Sequence, residues 1–517
     1  MRLASDTRLR SKYEAFLSEK GRLPNVNGIT DMSVSSVLFD WQSLLTEWAL
    51  HKGRAALFCD TGLGKTLMQL EWARNIPGSV LIVSPLAVAW QTLNEATKLG
   101  IDDIEYSRNP EVAQTQIVIT NYEQVHKFNP AHYRGVVLDE SSILKSVEGK
   151  TRTQLIQQFH QTPWRLACTA TPAPNDIAEF ANHAEFLGVC TREEMLSMFF
   201  VHDDTGWRLK GHARDAFYAW MATWSVTLRH PLEIGYPDER FTLPPLNTQV
   251  EWVDAQADQV AQEQGALFFM GLDGIVGRGA ARKVTIASKV DRVAQIVNDS
   301  NESFLIWHWL NEEGYQLQRV IPNAELIEGR QSNDMKESSL MRFVTGQTRV
   351  LITKPSIAGF GLNLQHCANV VFMGLTDSWE TYYQAVRRCW RFGQTRPVNN
   401  YIVISDLERP IFENIERKER QHQETALALS EHLSQFQRSE LGIETVSHSG
   451  YHPNRTEGEG YTLHLGDCIE GLAALSPESV DFSVFSPPFM SLYTYSNSER
   501  DLGNSHSEQE FFKHFAF

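Results

Sequence analysis

Two clusters of residues in this 517-residue sequence have the types and spacing that phosphate chemistry requires. In DTGLGKT, Asp60 to Thr66, Gly62 and Gly64 let backbone NH groups turn toward a phosphate, and Lys65 can reach its outer oxygens. Thr66 can hold magnesium at a helix start. The apolar run AALFC leads straight into this loop and a helical pattern follows, which is the context a phosphate-binding loop needs. The stricter GxxxxGK spacing fails at Cys59, so a glycine turn with an incidental lysine is the competing reading. About seventy residues on, GVVLDESS, Gly135 to Ser142, is an apolar strand that ends in two acids. There Asp139 would hold the magnesium and Glu140 would orient or deprotonate an attacking water. Solvated acids at a strand end are common for a lone Asp-Glu pair, so the weight rests on the two clusters together.

The elements that must position these residues follow from hydrophobic periodicity. From Ala55 to Thr171 the runs AALFC, SVLIVS, QIVIT, GVVLD and RLACT alternate with helical stretches, and each ends at a polar or glycine-containing turn. That is the pattern of a parallel α/β lobe. A second series begins near Ser288, with FLIWHWL, AELIEG, RVLIT, NVVFMG and YIVIS separated by amphipathic stretches such as ASKVDRVAQIVND and WETYYQAVRRCWRF. Between the two, Cys190 to Ala287 is irregular and carries the breaker-rich RHPLEIGYPDERFTLPPL. After Glu408 a charged helical pattern gives way to GIETVSHSGYHPNRTEGEG, a domain boundary by its turn formers, and the last segment has a strand, helix, strand rhythm. The expected layout is an extension over 1–35, a first lobe over 36–190, a linker over 191–287, a second lobe over 288–440, a linker over 441–460 and a short unit over 461–517.

Composition narrows the partners. A net charge of −16 argues against wholesale coating of nucleic acid, so any DNA site must be a local groove. No apolar run approaches the roughly 20 residues that span a bilayer, and the amino terminus lacks a secretory pattern. The expected setting is cytoplasmic; a bacterial or phage-infected cell is implied only by the resemblances that follow, whose fused layout is similar to that of proteins encoded by bacteriophages and prophages. The six cysteines lie far apart without a CxxC pair and read as reduced thiols.

With these motifs in order, the chain resembles superfamily-two helicases of the Swi/Snf-like type. TATPAPN, Thr169 to Asn175, is similar to their third motif, and SIAGFGLNLQ, Ser356 to Gln365, to the fifth. QAVRRCWRFGQTRPV, Gln384 to Val398, is similar to the sixth, with Arg388 and Arg391 on the family's arginine positions. LFDWQSLLTEWAL resembles the segment whose glutamine reads adenine, here Gln42. ITNYE, SPLAVAWQTLNE, Lys145 with Ser146, and Leu243 to Pro245 add to a resemblance that runs from about Val37 to Asp406. It departs from the family at DESS, where DEAH is usual, at Trp390, where histidine is common, and at Arg387, which replaces an acid. The resemblance implies two RecA-like lobes with parallel sheets, ATP and magnesium as cofactors, and duplex DNA as partner. It also implies that Arg388 and Arg391 offset the charge that grows on the γ-phosphate when the lobes close.

In the last segment Ser486, Pro487, Pro488 and Phe489 form SPPF after VDFSVF, with LHLGDCIEGLAAL upstream, and resemble the catalytic motif of DNA amino-methyltransferases. A polar side chain and a proline carbonyl would accept hydrogen bonds from an exocyclic amine while Phe489 stacks on a flipped base. A proline turn after a buried strand is the alternative. S-adenosylmethionine is the methyl donor this resemblance implies, yet no FxGxG-like loop lies before or after SPPF to cradle it. The segment therefore reads as a truncated methyltransferase-like piece whose remainder sits on a partner chain. Three readings follow: a DNA-dependent ATPase motor, a recruitment module for a DNA-modification system, and a fused motor and methyltransferase that needs a partner for the donor.

Overall fold

The computed structural model describes residues 12–17, 28–110, 115–146, 149–174, 176–203, 206–254, 283, 285–358, 363–443, 453–476, 478–486, 500–502, 505 and 508–517. Its first lobe is a seven-stranded sheet ordered β3-β4-β2-β5-β6-β1-β9. The strands are β1 (Arg54–Cys59), β2 (Val80–Ser84), β3 (Ile104–Tyr106), β4 (Ile117–Asn121), β5 (Gly135–Asp139), β6 (Trp164–Cys168) and β9 (Ser225–Leu228). A small antiparallel hairpin, β7 (Phe200–Asp203) with β8 (Gly206–Leu209), stands apart. Every pairing in the large sheet is parallel. A parallel sheet is covered on both faces, and the strands show it. Ala55, Leu57 and Cys59 of β1 enter one core while Ala56 and Phe58 enter the other.

The second sheet is ordered β10-β15-β14-β11-β13-β12, again all parallel. It is built from β10 (Leu246–Val253), β11 (Phe304–Trp307), β12 (Ala324–Leu326), β13 (Val350–Thr353), β14 (Asn369–Met373) and β15 (Val398–Ser405). Two α/β lobes were the expectation, and two are present. The region read as irregular linker differs: β9 joins the first sheet beside β1, and β10 joins the second beside β15. Neither carries the apolar run that marks a central strand. β9 is four residues long, and β10 is an edge strand whose residues are mostly half-buried or exposed.

The helices used below are α1 (Asp40–Lys52), α2 (Lys65–Asn75), α3 (Phe180–Leu187), α4 (Arg214–Trp224), α5 (Trp379–Val386), α6 (Arg409–Glu440), α7 (Cys468–Ala473) and α8 (Glu508–Phe515). Helix α6 has 32 residues and at 1.5 Å per residue is about 48 Å long. Ile411 and Ile415 near its start lie in a second-lobe core, whereas Leu429 and Leu433 lie in a first-lobe core, against α4 among others. At its end Lys52 of α1 pairs with Glu440 at 2.7 Å. No helix among the described residues is long and apolar enough to cross a membrane.

In the last segment β16 (Asn454–Gly458) and β17 (Tyr461–Leu465) form an antiparallel hairpin, so part of the expected 441–460 linker is strand. The run VDFSVF, expected as a strand, is irregular, and Phe482 and Val484 are 83% and 80% exposed. With no neighbouring strand to pair it among the described residues, the apolar pattern alone does not make a strand. The helical residues 12–17 pack here. Tyr13 donates to Asp467 Oδ2 at 2.8 Å, and Arg500 binds Glu14, Asp467 and Glu470.

His183 on α3 is fully buried, with Nε2 3.1 Å from Ser141 Oγ, and burial pushes its imidazole down to about 4 from 6.5. A depressed histidine favours the neutral fold, so its contribution is present above about 6.5 and is lost as pH falls toward 4. Denaturant titrations should show His183→Gln losing about 2 kcal/mol less stability than the wild type between roughly pH 7 and pH 5. Equal losses in both proteins would show that His183 does not carry this dependence.

Candidate active site

Strands β1 and β5 lie on either side of β6 and run the same way, so the loop after β1 and the two acids at the end of β5, Asp139 as its last residue and Glu140 just past it, emerge at one edge of the sheet. Cys59, the position where a stricter phosphate loop has glycine, is the last residue of β1 and is packed in the core. Its side chain belongs to the strand, and its carbonyl accepts from Lys65 Nζ at 2.8 Å. Lys65 also reaches the Asp60 carbonyl at 3.3 Å.

Gly62 and Gly64 have φ of 88° and 75°, backbone that glycine adopts without strain. At Gly64 there is a second constraint, because a Cβ there would run into the side-chain amide of Gln42. Gly64 caps α2 without a side chain, which leaves the cap open to an anion drawn by the helix start. The glycine cradle, Lys65 beside it, and Thr66 in the first turn fit a nucleotide phosphate with magnesium.

Gln42 of α1 is 2% exposed. Its Nε2 donates to the Leu63 carbonyl at 2.9 Å and its Oε1 accepts from the Phe39 NH at 3.0 Å, so it braces the phosphate loop. The amide keeps a second hydrogen and a second lone pair for a base.

Asp139 Oδ1 accepts from Gln69 Nε2 at 2.7 Å, and its main-chain carbonyl accepts from the Tyr122 hydroxyl at 2.6 Å. Burial first, and then the neighbouring Glu140 charge, push the Asp139 carboxyl up to about 6, against the pull of Gln69 and Lys65. A divalent cation at this carboxylate would reverse that bias. Glu140 sits at φ 54°, ψ 52°, a left-handed conformation that costs a residue with a Cβ of order 1 kcal/mol. Its Oε2 accepts from Thr169 Oγ1 and from Gln384 Nε2, each at 3.4 Å.

Gln384 belongs to the other lobe. Helix α5 presents Glu380, Tyr383, Gln384 and, just past its end, Arg387, spaced i, i+3, i+4 and i+7 along one face. All four reach the first lobe. Glu380 pairs with Lys145 and accepts from Thr171 Oγ1 at 3.1 Å. Tyr383 donates to Asp60 Oδ1 at 2.6 Å. Arg387 donates to Asp60 Oδ2 at 2.7 Å, to the Thr61 carbonyl at 2.9 Å and to the Thr61 hydroxyl.

Arg388 is buried behind this row and donates to Gln384 Oε1 at 2.9 Å, so Gln384 links it to Glu140. Arg391 lies beside the loop, and the adjacent Phe392 backs onto Gly62. Burial first, and neighbouring arginines second, push Arg388 and Arg391 each down to about 10, still cationic at neutral pH. Glu140, Arg388 and Arg391 are thus brought to one cleft with Lys65 and Asp139. The sequence motifs alone give no role to Asp60, Glu380, Tyr383 and Gln384, and mark Arg387 only as a departure from the family. The i, i+3, i+4, i+7 polar row within WETYYQAVR was the signal.

Asn175 and residues 359–362 of the third and fifth motifs lie outside the described residues, as do Pro487, Pro488 and Phe489. Ser486 is exposed.

Among known proteins, the helicase conserved C-terminal domain matches residues 288–393. The chain is 28% identical over 205 residues to the mouse SWI/SNF-related matrix-associated actin-dependent regulator of chromatin subfamily A member 1, covering 34% of this chain and 19% of that protein. It is 22% identical over 465 residues to the SWI/SNF chromatin-remodeling complex subunit snf22 of Schizosaccharomyces pombe, covering 74% of this chain and 27% of that protein. The chain therefore spans about a fifth to a quarter of the length of these curated relatives. A solved structure described as the Sulfolobus solfataricus SWI2/SNF2 ATPase core in complex with dsDNA aligns at 17% identity and a TM-score of 0.38, over 81% of this chain and 97% of that one. With two parallel α/β lobes and the motif residues gathered between them, the chain is similar to these SWI/SNF proteins, and residues 288–393 of its second lobe match the helicase conserved C-terminal domain.

Proposed function

We propose that this chain hydrolyses ATP with magnesium and uses the cycle to drive its two lobes along duplex DNA. The observation that carries the reading is the link from Arg388 through Gln384 to Glu140 across the cleft. A site whose acid stands on one lobe and whose arginines stand on the other is complete only when the lobes meet, which ties hydrolysis to motion.

The residues take distinct parts. Lys65 moves from the Cys59 and Asp60 carbonyls onto the β and γ oxygens, and the amides from Gly62 to Thr66 cradle them. Glu140, turned by its left-handed backbone, orients the attacking water and takes its proton. Arg388 and Arg391 face the charge that develops on the transferred group. Magnesium, held by Thr66 and Asp139, would supply further neutralisation of the phosphate oxygens. Similarity to proteins named as chromatin regulators supports duplex DNA as the track. With a chain charge of −16, that DNA must enter a locally basic groove.

Steady-state ATP hydrolysis tests this. Lys65→Ala should lower turnover by at least about a hundredfold, because a charge that meets the transition state is gone. Gly64→Ala should lower nucleotide affinity by more than about tenfold and destabilise the fold by about 1–2 kcal/mol, read by fluorescent-nucleotide titration and thermal melting. Duplex DNA should stimulate the wild type more than single-stranded DNA or duplex RNA does, and the stimulation should fall as salt rises. Equal turnover with every nucleic acid would remove the duplex-DNA part, and wild-type turnover in Lys65→Ala would remove the ATPase itself.

A further inference from the structure

Asp60 is a carboxylate inside a loop that must hold an anion. Its backbone NH is tied to the Leu228 carbonyl at 2.8 Å, so the residue cannot swing away from the loop. Within the first lobe, among the described residues, its carboxylate accepts only local bonds from Thr61, the backbone NH at 2.6 Å and the hydroxyl at 3.4 Å. The cation that answers its charge comes from the other lobe. Arg387, with its side chain 4% exposed, meets Asp60 at 2.7 Å, and the Tyr383 hydroxyl takes the other oxygen.

A negative charge next to the phosphates weakens their binding unless it is offset, and burial magnifies both the repulsion and its relief. Arg387 is also held in place. It stacks against the rings of Tyr383 and Trp390, at 5.6 Å and 5.0 Å from their centroids, and donates to the Thr61 carbonyl. Burial works against its charge, yet Asp60 and then Tyr383 keep its guanidinium above the ordinary range.

We propose that Arg387 is a positioning residue that masks Asp60 when the lobes close, so that the phosphate loop is attractive to nucleotide in the closed state and repels phosphate in the open one. Closure then raises affinity, and opening uncovers a fixed negative charge that speeds the departure of ADP and phosphate. The idea rests on the nucleotide-site reading above but not on hydrolysis or on DNA.

The test is a four-protein comparison of the full chain by fluorescent-ATP titration with magnesium: wild type, Arg387→Gln, Asp60→Asn and the double variant. Arg387→Gln should weaken binding by about tenfold, because an unmasked charge now faces the phosphates. Adding Asp60→Asn should restore affinity to within about threefold of the wild type, since two neutral partners leave nothing to mask. Asp60→Asn alone should bind as tightly as the wild type or tighter and release ADP more slowly in stopped flow. Arg387→Lys, which keeps the charge, should bind within about threefold of the wild type and guards against reading a folding defect as a charge effect. If the double variant binds no better than Arg387→Gln, or if Arg387→Lys is as weak as Arg387→Gln, the masking proposal is wrong. If the wild type binds nucleotide but does not hydrolyse it under any condition, the motor reading fails while these affinities still decide the masking. If the wild type binds no nucleotide, both fall.

Discussion

The polar face of α5 against the carboxyl edge of the first sheet is the contact on which the candidate site depends. Four side chains in little more than two helical turns touch the phosphate loop, the second acid of DESS and the threonine that follows TA in the third motif. Three separate segments of one lobe are thereby read by a single rigid element of the other. A helix suits this because its repeat places residues three and four apart on one line, and because displacing it disturbs all of the contacts together. The site is all-or-none across the cleft for geometric reasons.

Behind that contact stand two parallel sheets. Parallel strands send all their carboxyl ends to one edge, so a loop after β1 and acids at the end of β5 come together although some seventy residues separate them in sequence. The cost is that every strand must be apolar on both sides, and β1, β2 and β5 meet it with buried residues alternating between two cores. Polar chemistry is confined to the strand ends. Asp139 shows the consequence, since its carboxyl sits where burial already disfavours charge and a cation is the natural complement.

Much of this was legible in the sequence, and for a physical reason. Central parallel strands are short apolar runs, and phosphate loops need particular residues at particular spacings, so both leave marks within a few positions. Lys65, Asp139 and Glu140 stand together at the sheet edge, with Arg388 and Arg391 facing them. What the sequence did not disclose is pairing. β9 and β10 carry no strong apolar run because they are, respectively, very short and at an edge, and only their neighbours make them strands. Arg387 looked like a departure from a pattern, and its partner Asp60 lies 327 residues away. The opposite error occurred at VDFSVF, where apolar residues with no described neighbour remain irregular and exposed.

Helix α6 adds a mechanical consequence. The chain passes between the lobes once through residues 229–245 and a second time through α6, whose two ends are embedded in different cores. Two bodies joined at one point can turn in any direction, but two bodies pinned at two points swing like a door, about the line through the pins. Residues far from that line sweep the longest arc for a given change at the phosphate loop, and those near it hardly move. The same small closing angle can then be an ångström-scale adjustment at Glu140 and a much longer stroke at the rim of the cleft.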